Sequence, residues 1–129
     1  MQTRELSSTD WAHFFDEFSR DHHGWLATVE REHRGHRVPE VVRRPLVAIT
    51  TEPAGPRERT VVITLHPTDD PQNTIRLEHA AAVRVHETDE GLPQHVEVES
   101  DTGEHVMLRL RGVLSPDTLL DGLAPGELP

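Results

Sequence analysis

Ten histidines and 23 carboxylates, with no cysteine beside them, are what this chain offers for chemistry. Imidazole and carboxylate together can ligate a metal or move protons near neutral pH, so their spacing decides what is possible. His33-x-x-His36, with Glu30 and Glu32 just ahead of it, is the tightest such group. On one connecting loop it could serve a metal-assisted or acid/base enzyme. It lacks the His-Glu-x-x-His pattern that gives a zinc protease both its ligands and its base. A solvated loop accounts for the same residues without chemistry. Asp21-His22-His23 resembles a phosphoesterase motif, but the further Asp and His motifs of that class are absent. Imidazoles in the last turn of a helix are explained by the negative end of its dipole. His66, His79, His86, His95 and His105 are scattered over strand-like sequence.

Nucleophiles are scarcer still. Without cysteine there is no thiolate, no disulfide framework and no Cys-based zinc or iron–sulfur site. Ser7, Ser8, Ser19, Ser100 and Ser115 each fall at a cap, a turn or a helix surface, and neither a Gly-x-Ser-x-Gly elbow nor a glycine-rich phosphate loop occurs. Asp69-Asp70 and Asp89-Glu90 lie in loop sequence, where solvated charge is ordinary. No catalytic residue, metal ligand or cofactor follows from these patterns. One basic stretch stands apart: Arg31, Arg34, Arg37, Arg43 and Arg44, with His33 and His36 among them. It could hold an anion or nucleotide, or an acidic partner. The absence of interleaved aromatics argues against single-stranded nucleic acid, and a contact with the chain's own acidic half or with another subunit is an equal candidate.

Bulk composition narrows the classes further. A length of 129 residues suggests one domain able to bury about two-thirds of its unfolded surface. Leu, Ile, Val and Phe make up about a quarter of the chain, above the roughly 20 % below which disorder is expected. The formal net charge is −10, and from residue 60 onward only Arg76, Arg84, Arg109 and Arg111 oppose the acids. Such a balance disfavours nucleic acid and anionic membrane as partners. No apolar run approaches a membrane span, and Met-Gln-Thr-Arg-Glu-Leu has no signal-peptide core, so a cytoplasmic protein is the expectation.

The elements that must position these residues begin with a helix. Trp11, Phe14, Phe15, Phe18 and His22 recur at helical spacing on one face, opposite Asp16, Glu17, Arg20 and Asp21. All five Phe and Trp residues lie between Trp11 and Trp25. Ser7 as N-cap with Asp10 three residues on suggests a capping box, with Leu6 and Trp11 forming a hydrophobic staple, and Gly24 suits the C-terminal stop. The aromatic stripe is expected to be the lid of the core. Alternation then predicts strands from Trp25 to Glu30, over 45–51 and over 60–66, with a polar connection at 31–37 and a turn at 52–56. Residues 74–87 are one kinked strand or two. A final hairpin turns at Gly103, and parity sets Val98 opposite Val106, Val96 opposite Leu108, Glu99 opposite His105 and His95 opposite Arg109.

The expected fold is therefore α+β: an N-terminal amphipathic helix packed on a mainly antiparallel sheet or small barrel of five to seven strands. Its order resembles Sm-like and SH3-like small barrels, a likeness that carries no function. Residues 1–111 form the domain. Residues 112–129 read as a tail with a helical turn at 115–121 capped by Ser115 and then a disordered end.

The opening Trp11-x-x-Phe14-Phe15-Asp16-x-Phe18-Ser19-Arg20-x-His22-x-Gly24-Trp25, followed by Thr28-Val29-Glu30, resembles the start of a family of short bacterial proteins classed as a domain of unknown function. Leu46-x-x-Ile49 and Glu97-Val98-Glu99-Ser100-x-x-Gly103 are similar too, over residues 5 to 111. That resemblance implies a bacterial source and no assigned activity. The leading expectation is a non-enzymatic binding or assembly module, a homo-oligomer or a protein partner being compatible with it. The runners-up are an enzyme built on His33, His36, Glu30 and Glu32, and an anion site on the Arg31–Arg44 segment.

Overall fold

Helix α1 (Trp11–Asp21) places Trp11, Phe15 and Phe18 on one face, and none of the three keeps more than 2 % of its surface exposed. The aromatic stripe is core, as its spacing predicts. Phe14, one step round the helix, is half-buried and meets Phe15 edge-on with ring centroids 5.8 Å apart. Leu6 and Trp11 are both buried, and the indole N–H donates to the Leu6 carbonyl at 3.3 Å. The capping box does not form. Ser8–Asp10 make a 3-10 turn ahead of the helix, in which the Asp10 N–H donates to the Ser7 carbonyl at 2.8 Å. Ser7 Oγ meets Thr9 Oγ1 instead of a backbone N–H. Leu6 ends a strand, so the chain must turn sharply here, and the 3-10 bond satisfies a donor that a side-chain cap would otherwise take. Past His22, Gly24 adopts φ +86° and donates its N–H to the Leu46 carbonyl.

The computed structural model describes residues 2–53, 59–88 and 93–111. Eight antiparallel strands form the sheet: β1 (Gln2–Leu6), β2 (Leu26–His33), β3 (His36–Pro53), β4 (Arg59–Leu65), β5 (Thr74–Leu77), β6 (Ala80–Glu87), β7 (Pro93–Ser100) and β8 (His105–Arg111). Their order is β1-β6-β7-β8-β2-β3-β4-β5, leaving β1 and β5 as edges, so the sheet is open and carries more strands than the five to seven expected. Strand β1 is the addition. The connection expected at 31–37 is a correction: it is the tip of a hairpin whose turn is only Arg34 and Gly35, at φ +54° and +82°. Two successive positive φ values match the twist of the strands they join. Residues 74–87 are two strands that sit far apart in the sheet order, joined by a corner at which His79 has φ +58°. The β7–β8 hairpin pairs His95 with Arg109, Val96 with Leu108, Val98 with Val106 and Glu99 with His105, the register that parity predicts.

Strand β3 changes partners midway. Residues 36–45 pair with β2 and residues 46–53 with β4. The edge released beyond Leu46 is covered by α1. There the Ile49 N–H donates to Ser19 Oγ at 2.8 Å, and the hydroxyl donates to the Ile49 carbonyl at 3.3 Å. A helix side chain thus replaces a missing strand. The turn expected at 52–56 starts later, since Glu52 and Pro53 still belong to β3. The tail expected from 112, and the helical turn expected at 115–121, lie outside the described residues.

Candidate functional site

The residues singled out by spacing lie on the β2–β3 hairpin, but the fold disperses them. His33 and His36 face each other across the turn and are exposed. Glu30 and Glu32 follow the opposite parity to buried Ala27 and Val29 and are held by arginines, Glu30 at 3.3 Å from Arg109 and Glu32 at 3.2 Å from Arg37. Among the described residues no group of three or more His, Asp or Glu is arranged to hold a metal ion. The five arginines are likewise spread. Arg31, with the inward parity of Val29, reaches Glu40, Glu104 at 3.2 Å and the Arg76 carbonyl at 2.9 Å. It closes that end of the core with an ion cluster. Arg37 is occupied by Glu32, whereas exposed Arg34, Arg43 and Arg44 have no ion pair among the described residues.

Sheet order assembles a second cluster that spacing alone could not. Strands β1, β6, β7 and β8 lie side by side, and their outward positions bring Thr3, Arg84, His86, His95, Glu97, Glu99, His105 and Arg109 onto one polar face. Glu97 is shared: His105 Nδ1 is 2.9 Å from one carboxylate oxygen and His86 Nε2 is 3.6 Å from the other. His86 Nδ1 meets Thr3 Oγ1 at 3.0 Å, and Arg84 bonds Glu99 at 2.9 Å. His86 Nε2, Glu30 Oε1 and Arg109 Nε are buried without a hydrogen-bond partner among the described residues. Burial, then Arg109 and His86, hold His95 below the ordinary imidazole value. A depressed imidazole binds its proton less readily folded than unfolded. Its contribution is whole above about pH 6.5 and is lost as pH falls through the folded value. Urea unfolding is expected to show stability declining on acidification below about pH 6.5, and His95→Gln to flatten that decline. An identical slope in the variant would dismiss His95 as its source.

A concavity lies at the other end of the core, between α1 and the ends of β1, β6 and β7. It measures about 640 Å³ and is lined by Arg4, Phe14, Glu17, Phe18, Asp21, His22, Trp25, Glu87, Thr88 and Gln94. Its construction follows from strand parity. Arg4 shares the inward face with Leu6, and Gln94 shares it with Val96. At this end of the sheet, inward positions are polar where the middle is apolar, so the core opens there instead of closing. The helix contributes the wall with Phe14 and Phe18, whose rings lie 5.6 Å apart. Phe18, His22 and Trp25 continue the series, with Phe18 and His22 tilted at a centroid spacing of 4.4 Å and His22 and Trp25 edge-on at 4.6 Å. His22 is buried and its Nδ1 lies 2.9 Å from the Phe18 carbonyl. A carbonyl can only accept, so Nδ1 carries the proton and the ring's orientation is fixed. At the rim, Arg4 bonds Glu87 at 3.1 Å.

Spacing marks Phe14 and Phe18 as part of the lid of the core and Trp25 as the start of a strand. The signal available in the chain was Gln94, a polar residue in phase with the buried Val96 and Val98. No family model, no curated protein and no solved structure matches this chain.

Proposed function

We propose that the protein is a small-molecule-binding module whose seat is the cleft between α1 and the ends of β1, β6 and β7. The observation that carries this reading is the cleft itself: about 640 Å³, within the usual range of ligand sites, with an aromatic wall and a few polar groups at its mouth. Binding needs no nucleophile or metal, which agrees with the absence of a catalytic constellation in the sequence. Because Phe15 and Trp11 are committed to the core, the helix has less apolar surface to offer a protein partner than its composition suggests. The hairpin alternatives have weaker support, since Glu30, Glu32, Arg31 and Arg37 already hold one another or other strands.

The test uses a neutral fluorophore. Nile red is expected to bind with one-to-one stoichiometry and a blue-shifted emission. Phe14→Asp, which charges the wall at a half-buried position while leaving Phe15 and Trp11 in place, is expected to weaken it about tenfold or more. No binding to the unaltered protein, or equal binding to the variant, would overturn the reading.

A further inference from the structure

Cleft walls select for shape, but the rim selects for charge, and this rim is one-sided. Three carboxylates, Glu17, Asp21 and Glu87, line the cleft against a single guanidinium, Arg4. That guanidinium is already bonded to Glu87 at 3.1 Å, and the Glu87 side chain is only 13 % exposed. The pair neutralises itself and leaves Arg4 with little to give an anion. Glu17 and Asp21 remain. Glu17 has exposed His13 at 3.2 Å on its far side, and Asp21 has no ion pair among the described residues.

Helical geometry sharpens the bias. Glu17 and Asp21, expected on the face opposite the aromatics, instead border it: Phe14, Glu17, Phe18 and Asp21 recur at i, i+3, i+4 and i+7 and line the cleft together. Asp21 is the helix's last residue, where the dipole presents its negative end. Half-buried Phe14 and Trp25 line the cleft, and aromatic rings attract cations through the ring quadrupole. An anionic metabolite would face Glu17 and Asp21 and would have to detach Arg4 from Glu87 before gaining a partner.

Resting on the cleft as the ligand seat, we infer that its ligand is an organic cation: an amine or quaternary ammonium carrying an apolar or aromatic body. The body lies against Phe14, Phe18 and Trp25, and the charge sits between Glu17 and Asp21.

The indole N–H signals of the two tryptophans give the readout, because Trp25 lines the cleft while Trp11 is buried in the core and serves as internal control. Benzyltrimethylammonium, benzyl alcohol and benzoate supply a cation, a neutral and an anion on similar rings. The cation is expected to shift the Trp25 signal at about tenfold lower concentration than the alcohol, with benzoate weakest. The double variant Glu17→Gln/Asp21→Asn is expected to erase the cation's advantage, so that benzyltrimethylammonium and benzyl alcohol shift the signal at similar concentrations. Equal affinity for cation and alcohol would overturn the charge preference and leave the cleft reading intact. Preference for benzoate would overturn it in favour of Arg4. Silence of Trp25 towards all three probes would overturn the cleft reading and this inference together.

Discussion

Phe15→Ala is expected to destabilise the protein by about 3–5 kcal/mol. Phe15 is the bulkiest of the fully enclosed side chains, 1 % exposed, and it sits between Trp11 and Phe18 in the row that seats α1 on the sheet. Removing the ring forfeits its transfer free energy and leaves a cavity that fixed strands on one side and a helix backbone on the other cannot close. A domain of this size has roughly 5–15 kcal/mol in total, so the variant loses a large share of it. Urea unfolding reads the change as a lower midpoint at unchanged slope. Phe14→Ala is the control, because its half-exposed ring leaves less to lose. If both substitutions cost about the same, the helix does not seat on the core through Phe15.

The parts of this architecture that were legible in the sequence share a physical feature: one face buried and the other wet. Trp11, Phe15 and Phe18 satisfy that on a helix, and Val96, Val98, Val106 and Leu108 satisfy it on a hairpin closed by Gly103. Parity then fixed the register, since a one-residue slip would have turned every valine outward. Strand β1 was illegible for the converse reason. It is an edge strand in which only Leu6 is buried, so Gln2 to Glu5 carry no apolar signal. The β2–β3 hairpin runs beyond the core, with Val38 and Val42 exposed at 58 % and 57 %, and alternation there loses its meaning. Its Arg34-Gly35 turn was nonetheless written in the chain as a lone glycine between polar residues. The cleft and the Glu97 cluster are harder cases. Arg4 meets Glu87, and His86 meets Glu97, only because β1 and β7 flank β6 in the sheet. No local pattern encodes that order.

Ser19→Ala is expected to cost about 1–3 kcal/mol, although alanine is the better helix former by a few tenths of a kcal/mol. The reason lies across the interface. Beyond Leu46 the β3 edge has no strand beside it, and Ser19 Oγ supplies both an acceptor for the Ile49 N–H and a donor for the Ile49 carbonyl. Alanine leaves both groups facing a helix, partly shielded from water, and an unpaired buried donor costs more than the net value of the bond it lost. The defect is expected to be local as well as global. Amide exchange at Ile49 should accelerate by more than the drop in overall stability accounts for, because the edge can open without unfolding the sheet. Ser19→Thr keeps the hydroxyl and is expected to restore slow exchange. The consequence reaches the cleft, since Ser19 follows Phe18 on the same helix turn. A helix loosened at β3 holds the Phe14–Phe18 wall less firmly, so Nile red affinity should fall in Ser19→Ala and recover in Ser19→Thr. Unchanged stability together with unchanged Ile49 exchange in Ser19→Ala would show that the released edge of β3 is satisfied without the helix.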